Sequence, residues 1–189
     1  MRRLILGFVS FGLLAGALGA TALPVAASTS RPTIVGIAST TPGFETLTAA
    51  VVCTGLAPAL SGSQKLTVFA PTNSAFAKLG LNAGNVCAAL PKATLTNILL
   101  YHVTPGSRFA SSLLPDEGER TTVRTLLSGH TFKINSTGRI RTSSGGTSQI
   151  VATDIRASNG VIHVVDSVLI PGAPKGDGDD NEGDQQGEH

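Results

Sequence analysis

The chain has 189 residues, 14 Lys+Arg against 12 Asp+Glu for a formal net charge of +2, two cysteines and no tryptophan. Once its termini are set aside, about 140 residues are left, enough for one domain with a real core and too few for a second. The charge is unevenly spread: residues 28–172 carry 11 basic side chains against 6 acids, whereas residues 173–189 carry Lys175 against six acids.

Met1-Arg2-Arg3 is followed by an apolar run from Leu4 to Leu18, broken only by Gly and Ser, and then by small residues at Ala20–Ala22 and Val25–Ala27. That layout reads as a secretory signal peptide over residues 1–27, with cleavage after Ala22 or Ala27. The run is shorter than the ~20 residues a spanning helix needs. No cysteine precedes Cys53, so no lipid acceptor follows the run. A secreted or periplasmic product is expected, without stable membrane insertion after cleavage.

From Phe44 the apolar residues Phe44, Leu47, Ala50 and Val51 recur at helical spacing, and Gly55 is placed to end that helix in a left-handed conformation. Leu66–Phe69 reads as a strand stopped by Pro71. Thr72 or Asn73 can cap a following helix that carries Phe76 and Leu79 on one face. Phe69 and Phe76 are expected to meet in the core. Pro91 suits the first turn of another helix, on which Leu95, Ile98, Leu99 and His102 share a side. It should end near Tyr101, because Val103–Gly106 contains a Pro-Gly turn signal.

Beyond residue 120 the pattern changes to short strands at 121–126, 130–134, 139–142, 149–152 and 161–165, separated by Ser- and Gly-rich turns. Such spacing describes an antiparallel meander. Asn159-Gly160 is the strongest hairpin signal, since a two-residue turn with positive φ favours those residue types. Helices followed by strands give an α+β class.

Three blocks fall in a fixed order: Leu66–Phe76, then Leu99–Val103, then Asn159–Pro171. In wording and spacing they resemble the fasciclin domain, and the likeness spans roughly residues 33–171. Thr67–Thr72 with Ala75 and Phe76 is similar to the family's first characteristic segment. Asn159–His163 with Val165, Asp166 and Leu169 is similar to its second, and Tyr101-His102 to the pair between them. The resemblance implies helices packed against a wedge of two small, mostly antiparallel sheets, hence a fasciclin-like domain over residues 28–172. It also implies an adhesion or extracellular-matrix module binding surface proteins or glycans. The Asp-Ile integrin-contact tetrapeptides of animal members and an Arg-Gly-Asp are both missing, and Asp154-Ile155 alone carries no integrin claim.

Candidate sites follow from these readings. Cys53 and Cys87, in a chain bound for an oxidising compartment, are expected to be bridged; two buried thiols or a metal site are the alternatives. No Cys-x-x-Cys or nearby His completes a metal ligand set. Tyr101 and His102 belong to an adhesion surface if the resemblance extends that far, whereas the register of His102 with Leu95 and Leu99 favours a core histidine. Arg120, Arg124, Arg139, Arg141 and Arg156 cluster in the strand half and form a basic face on which the acidic segment can lean.

No nucleophile elbow, zinc-protease pair or phosphate loop is present, so neither catalysis nor a cofactor is expected. Asp177, Asp179, Asn181 and Glu188 approach a calcium-loop spacing, but Gly183 stands one position too late. Residues 173–189 lack apolar content and are expected to be disordered. Asn135-Ser136-Thr137 is an N-glycan acceptor if the host modifies secreted proteins. Nucleic acid is not an expected partner. A second functional class, an extracytoplasmic binding protein for a small apolar ligand such as a lipid, requires a cavity between sheet and helices.

Overall fold

The computed structural model describes residues 31–172. The expected signal segment and the acidic segment 173–189 lie outside the described residues.

The helical layer comes first in the chain. Helix α1 (Ile34–Thr40) leads into α2 (Glu45–Thr54), whose Leu47, Ala50 and Val51 are buried and whose C-cap Gly55 has φ 78°. That left-handed cap is the one Gly55 promised, because a residue without Cβ enters it freely. Of the short helices that follow, α4 (Asn73–Ala77) and α5 (Val86–Ala89) pack against α2, and α3 (Ala57–Ser61) packs against α1. Thr72 caps α4, its hydroxyl oxygen accepting from the Ala75 N–H at 3.2 Å. Thr72→Ala is expected to lower stability by about 1 kcal/mol, read as a shift of the urea midpoint without a change of slope. Leu79 lies beyond the end of α4 and is exposed, so it does not extend the Phe76 face.

Helix α6 (Lys92–Tyr101) buries Leu95, Ile98 and Leu99 and ends at Tyr101, with His102 as C-cap; Pro91 is its N-cap. The following segment is not only a turn. Val103–Pro105 forms strand β2, antiparallel to β1 (Leu66–Pro71). Pro105 is tolerated there because β2 ends the strand order and its missing N–H removes no inner rung. Helix α7 (Ala110–Leu113) completes the helical half.

Strands β3 (Arg120–Arg124), β4 (Thr131–Asn135), β5 (Arg139–Thr142), β6 (Thr147–Ala157) and β7 (Gly160–Val165) form the expected meander. The two small sheets of the sequence expectation are instead one seven-stranded sheet, in the order β2-β1-β7-β6-β5-β4-β3. The cause is the length of β6. Thr147–Gln149 pairs with β5, and Ile150–Ala157 pairs with β7 across two irregularities that turn the strand, so one strand belongs to both halves. The ends of the sheet nearly meet: the Leu126 N–H reaches the Val103 carbonyl at 2.7 Å and the Thr104 hydroxyl reaches the Arg124 carbonyl at 2.5 Å.

Strand β1, fully buried and parallel to β7, separates two cores. Leu66, Val68 and Ala70 join the core beneath the helices, together with Phe76, Leu95 and Ile162. Phe69 faces the other way, into the barrel interior with Phe132, Ile134, Ile140 and Leu169, and packs edge-on to Phe132 at 5.0 Å. Phe69 and Phe76 therefore do not meet. Strand alternation sends Phe69 to the face opposite the helices, and the sequence expectation is corrected on that point.

The β6–β7 hairpin is present, with Ala157 opposite Gly160, so the turn residues are Ser158 and Asn159. Asn159 has no positive φ; its side chain is the reason for its place. Its Oδ1 accepts from the Ile34 N–H at 2.9 Å and its Nδ2 donates to the Leu60 carbonyl at 2.7 Å, so one buried amide joins α1, α3 and the hairpin.

Candidate functional site

Tyr101 and His102 lie in the interior, with 0% and 1% of their surface exposed. As placed, neither side chain lies on a surface. The Tyr101 hydroxyl donates to the Thr131 carbonyl at 2.8 Å and accepts from the Ser143 N–H at 3.2 Å, so it ties the start of β4 to the turn after β5. The ring of His102 lies between α6 and the C-terminal stretch of the domain. Its Nδ1–H donates to the Ile98 carbonyl at 2.7 Å, and its Nε2 accepts from the Leu169 N–H at 2.9 Å, an arrangement that only the neutral ring satisfies. Burial holds its pKa down at about 4, against the smaller opposing pull of the Ile98 carbonyl. This is the core-histidine arrangement, and it makes the pair a brace behind the strands.

The arginines divide. Arg120 and Arg124 on β3 and Arg139 and Arg141 on β5 are exposed, whereas Val123 and Ile140 on the same two strands, and Ile134 on β4 between them, point inward. Period-two alternation thus puts the four on one outer face. Lys133 of β4 stands between them, opposite Thr122 on one side and Arg141 on the other. It was absent from the sequence-based set, which counted arginines only; its place as the single exposed residue amid buried Phe132 and Ile134 was the available signal.

Arg156 is not part of this face. It lies nine positions beyond Thr147 along β6, and its guanidinium stacks on the Phe109 ring at 4.9 Å.

No acidic residue occurs on β3, β4 or β5. Among the described residues the one ion pair is Lys78–Asp166 at 3.7 Å, so the five cations of the face have no carboxylate partner there. Two shallow depressions, of about 160 and 240 Å³, share Arg120, Lys133 and Arg141 as their common wall. Arg139 and Asn135 extend the first, and Thr131 and Ser143 extend the second. The Tyr101 brace therefore holds two points on the rim of the second depression. Asn135, the candidate glycan acceptor, uses its Oδ1 to accept from the Thr137 hydroxyl and the Arg139 N–H, at 2.9 and 2.8 Å.

Cys53 of α2 and Cys87 of α5 are joined in a disulfide, which settles the alternatives the sequence left open. It borders an open cleft of about 580 Å³ that also touches Thr41, Glu45 and Val52. The space between helices and sheet required by the apolar-ligand reading amounts to about 30 Å³, lined by residues such as Ile34, Val51 and Leu99. That is room for about a water or two, far below the roughly 300–1,000 Å³ of small-molecule pockets. Among the described residues no His, Cys, Asp and Glu side chains gather into a metal-binding group, and no helix is long and apolar enough to cross a membrane.

Comparison with known proteins gives a consistent result. The family model for the Fasciclin domain matches residues 42–171. Protein sll1483 of Synechocystis is 40% identical over 149 residues, covering 77% of each chain. Immunogenic protein MPB70 of Mycobacterium bovis is 30% identical over 149 residues, 76% of this chain and 72% of that protein. Transforming growth factor-beta-induced protein ig-h3 of Sus scrofa is 34% identical over 133 residues, but the match spans only 18% of its length. Among solved structures, a FAS1 domain pair from the insect cell adhesion molecule fasciclin I superposes with a TM-score of 0.60 at 18% identity, covering 75% of this chain and 51% of that one.

Proposed function

This chain belongs to the fasciclin domain family, and from that membership we propose that it works outside the cytoplasm as an adhesion or matrix-interaction module. Its contact face is the outer surface of β3, β4 and β5, and its partners are acidic surface glycans or proteins of matching charge. The observation that carries the reading is the set Arg120, Arg124, Lys133, Arg139 and Arg141, exposed on three adjacent strands that carry no acidic residue, and without an ion-pair partner among the described residues. Exposed cations of one sign on a rigid sheet raise the local concentration of a polyanion and meet it at fixed spacing, with strands ~4.8 Å apart. The cell-adhesion role of the insect relative, the signal-like residues 1–27 and the Cys53–Cys87 bridge all agree with an extracytoplasmic place of work.

The test is binding to immobilised dextran sulfate, with uncharged dextran as control, at low ionic strength. Replacing Arg120, Lys133, Arg139 and Arg141 with Gln is expected to weaken binding by about tenfold or more and to flatten its salt dependence, because fewer counterions are released. The domain should stay folded, since all four side chains are exposed. Equal binding by the variant and the parent would remove the face from the function.

A further inference from the structure

We infer that the acidic segment 173–189 is the resident occupant of this basic face, held there within the same chain and displaced by an external polyanion. The inference rests on the face being a polyanion site, as proposed above. Three observations point to it.

The first is where the described chain ends. Gly172 donates its N–H to the Ser143 hydroxyl at 3.0 Å, and its carbonyl oxygen lies 3.1 Å from His130 Nε2. One residue pair earlier, the Ile170 carbonyl accepts from the Ser144 hydroxyl at 2.9 Å. The approach is close: a Cβ at Gly172 would stand 2.8 Å from the Ser143 and Ser144 backbone. Ser143 itself lines the depression walled by Arg120, Lys133 and Arg141. Gly172, the last described residue, therefore lies at the rim of the basic face.

The second is charge. The segment brings Asp177, Asp179, Asp180, Glu182, Asp184 and Glu188 against a single Lys175, and the face offers five cations. Each exposed pair contributes only about 0–1 kcal/mol, but several form together.

The third is reach. Asp177 follows Gly172 by five residues, at most about 18 Å of extended chain, and crossing from β5 to β3 takes roughly 10 Å. A tether this short keeps the acids at an effective concentration of about millimolar, which makes even weak pairing compete with a free ligand.

The experiment compares the full chain with a variant carrying Asp177→Asn, Asp179→Asn, Asp180→Asn, Glu182→Gln, Asp184→Asn and Glu188→Gln. Its dextran sulfate affinity at low ionic strength should rise about two- to tenfold, and the gain should vanish at high salt. Backbone amide resonances of residues 131–135 and 139–144 should differ between the two proteins, by the same amount at every protein concentration. That second readout is local, so a mere change of net charge does not produce it.

Unchanged amides together with unchanged affinity would overturn the inference and leave the contact face intact. Amide differences that grow with protein concentration would also overturn it, because they place the segment on another copy. Failure of both proteins to bind dextran sulfate would sink the polyanion face itself, and with it the competition inferred here.

Discussion

Gly160→Ala is expected to cost at least about 4 kcal/mol, enough to leave most of the protein unfolded under ordinary expression conditions. Gly160 is opposite Leu66 at the first rung of the parallel β1–β7 pair. A Cβ built there would lie 1.9 Å from the Leu66 carbonyl oxygen and 3.0 Å from Ile34 Cδ1. The first clash is with backbone, which has no rotamer to change, so the two strands must separate or the hairpin must shift. Either movement disturbs Asn159, whose amide joins the hairpin to α1 and α3, and the Leu66 N–H bond to the Asn159 carbonyl at 3.1 Å. Ser158→Ala in the same turn has no such contact and should change stability by less than about 0.5 kcal/mol. Urea unfolding of the two variants measures the contrast, and a Gly160→Ala protein within about 1 kcal/mol of the parent would contradict the close approach of β1 to β7.

That glycine illustrates which parts of this molecule were legible in the sequence. Asn159-Gly160 marked the hairpin, but through turn statistics; the reasons in the structure are a buried amide and a backbone contact with a strand more than ninety residues earlier. Long-range contacts of that kind leave no local pattern. The strands after residue 120 were legible because their inner faces alternate, as in Val123, Phe132–Ile134 and Ile140. Helices α2 and α6 were legible through stripes of ten residues. Helices α1, α3, α5 and α7 have 7, 5, 4 and 4 residues, too short for a period of 3.6 to show.

The site divides in the same manner. Alternation places Arg120, Arg124, Arg139 and Arg141 on one face and would have included Lys133 had lysine been counted with arginine. Arg156 was grouped with them by nearness in sequence, and the length of β6 carries it away to Phe109. Tyr101 and His102 were marked by resemblance, and His102 also by helical register. The register foretold the burial of His102, because a helix face turned toward Leu95 and Leu99 is a buried face.

His102 has a consequence for acid stability. In the folded protein burial holds its pKa at about 4, whereas in the unfolded chain it titrates near the ordinary 6.5. Between those values the unfolded state binds a proton that the folded state refuses, so stability falls as pH falls through this window. Above pH 6.5 the ring is neutral in both states and the effect is absent. The full difference corresponds to about 3 kcal/mol lost between pH 6.5 and 4.

His163 acts in the same direction: burial lowers its pKa, with the Arg108 carbonyl and Asp154 opposing. Lower still, Asp166 adds to the loss. Burial there works against ionisation, but the Gln149 N–H, the hydroxyls of Ser148 and Ser167, and Lys78 together hold its carboxyl below the usual range.

The structural result of protonating His102 is specific. A charged ring cannot accept the Leu169 N–H, so the stretch from Leu169 to Gly172 loses its inner anchor on the side where the acidic segment leaves the domain. Urea midpoints measured from pH 7.5 to 4 should fall across the window, and amide protection at Leu169, taken relative to the intrinsic exchange rate at each pH, should fall ahead of protection in β7. In His102→Gln the fall between pH 6.5 and 4 should shrink by most of that about 3 kcal/mol, although the variant is less stable at pH 7. An unaltered slope in the variant would assign the acid sensitivity to His163 and the carboxylates, and would remove His102 as its source.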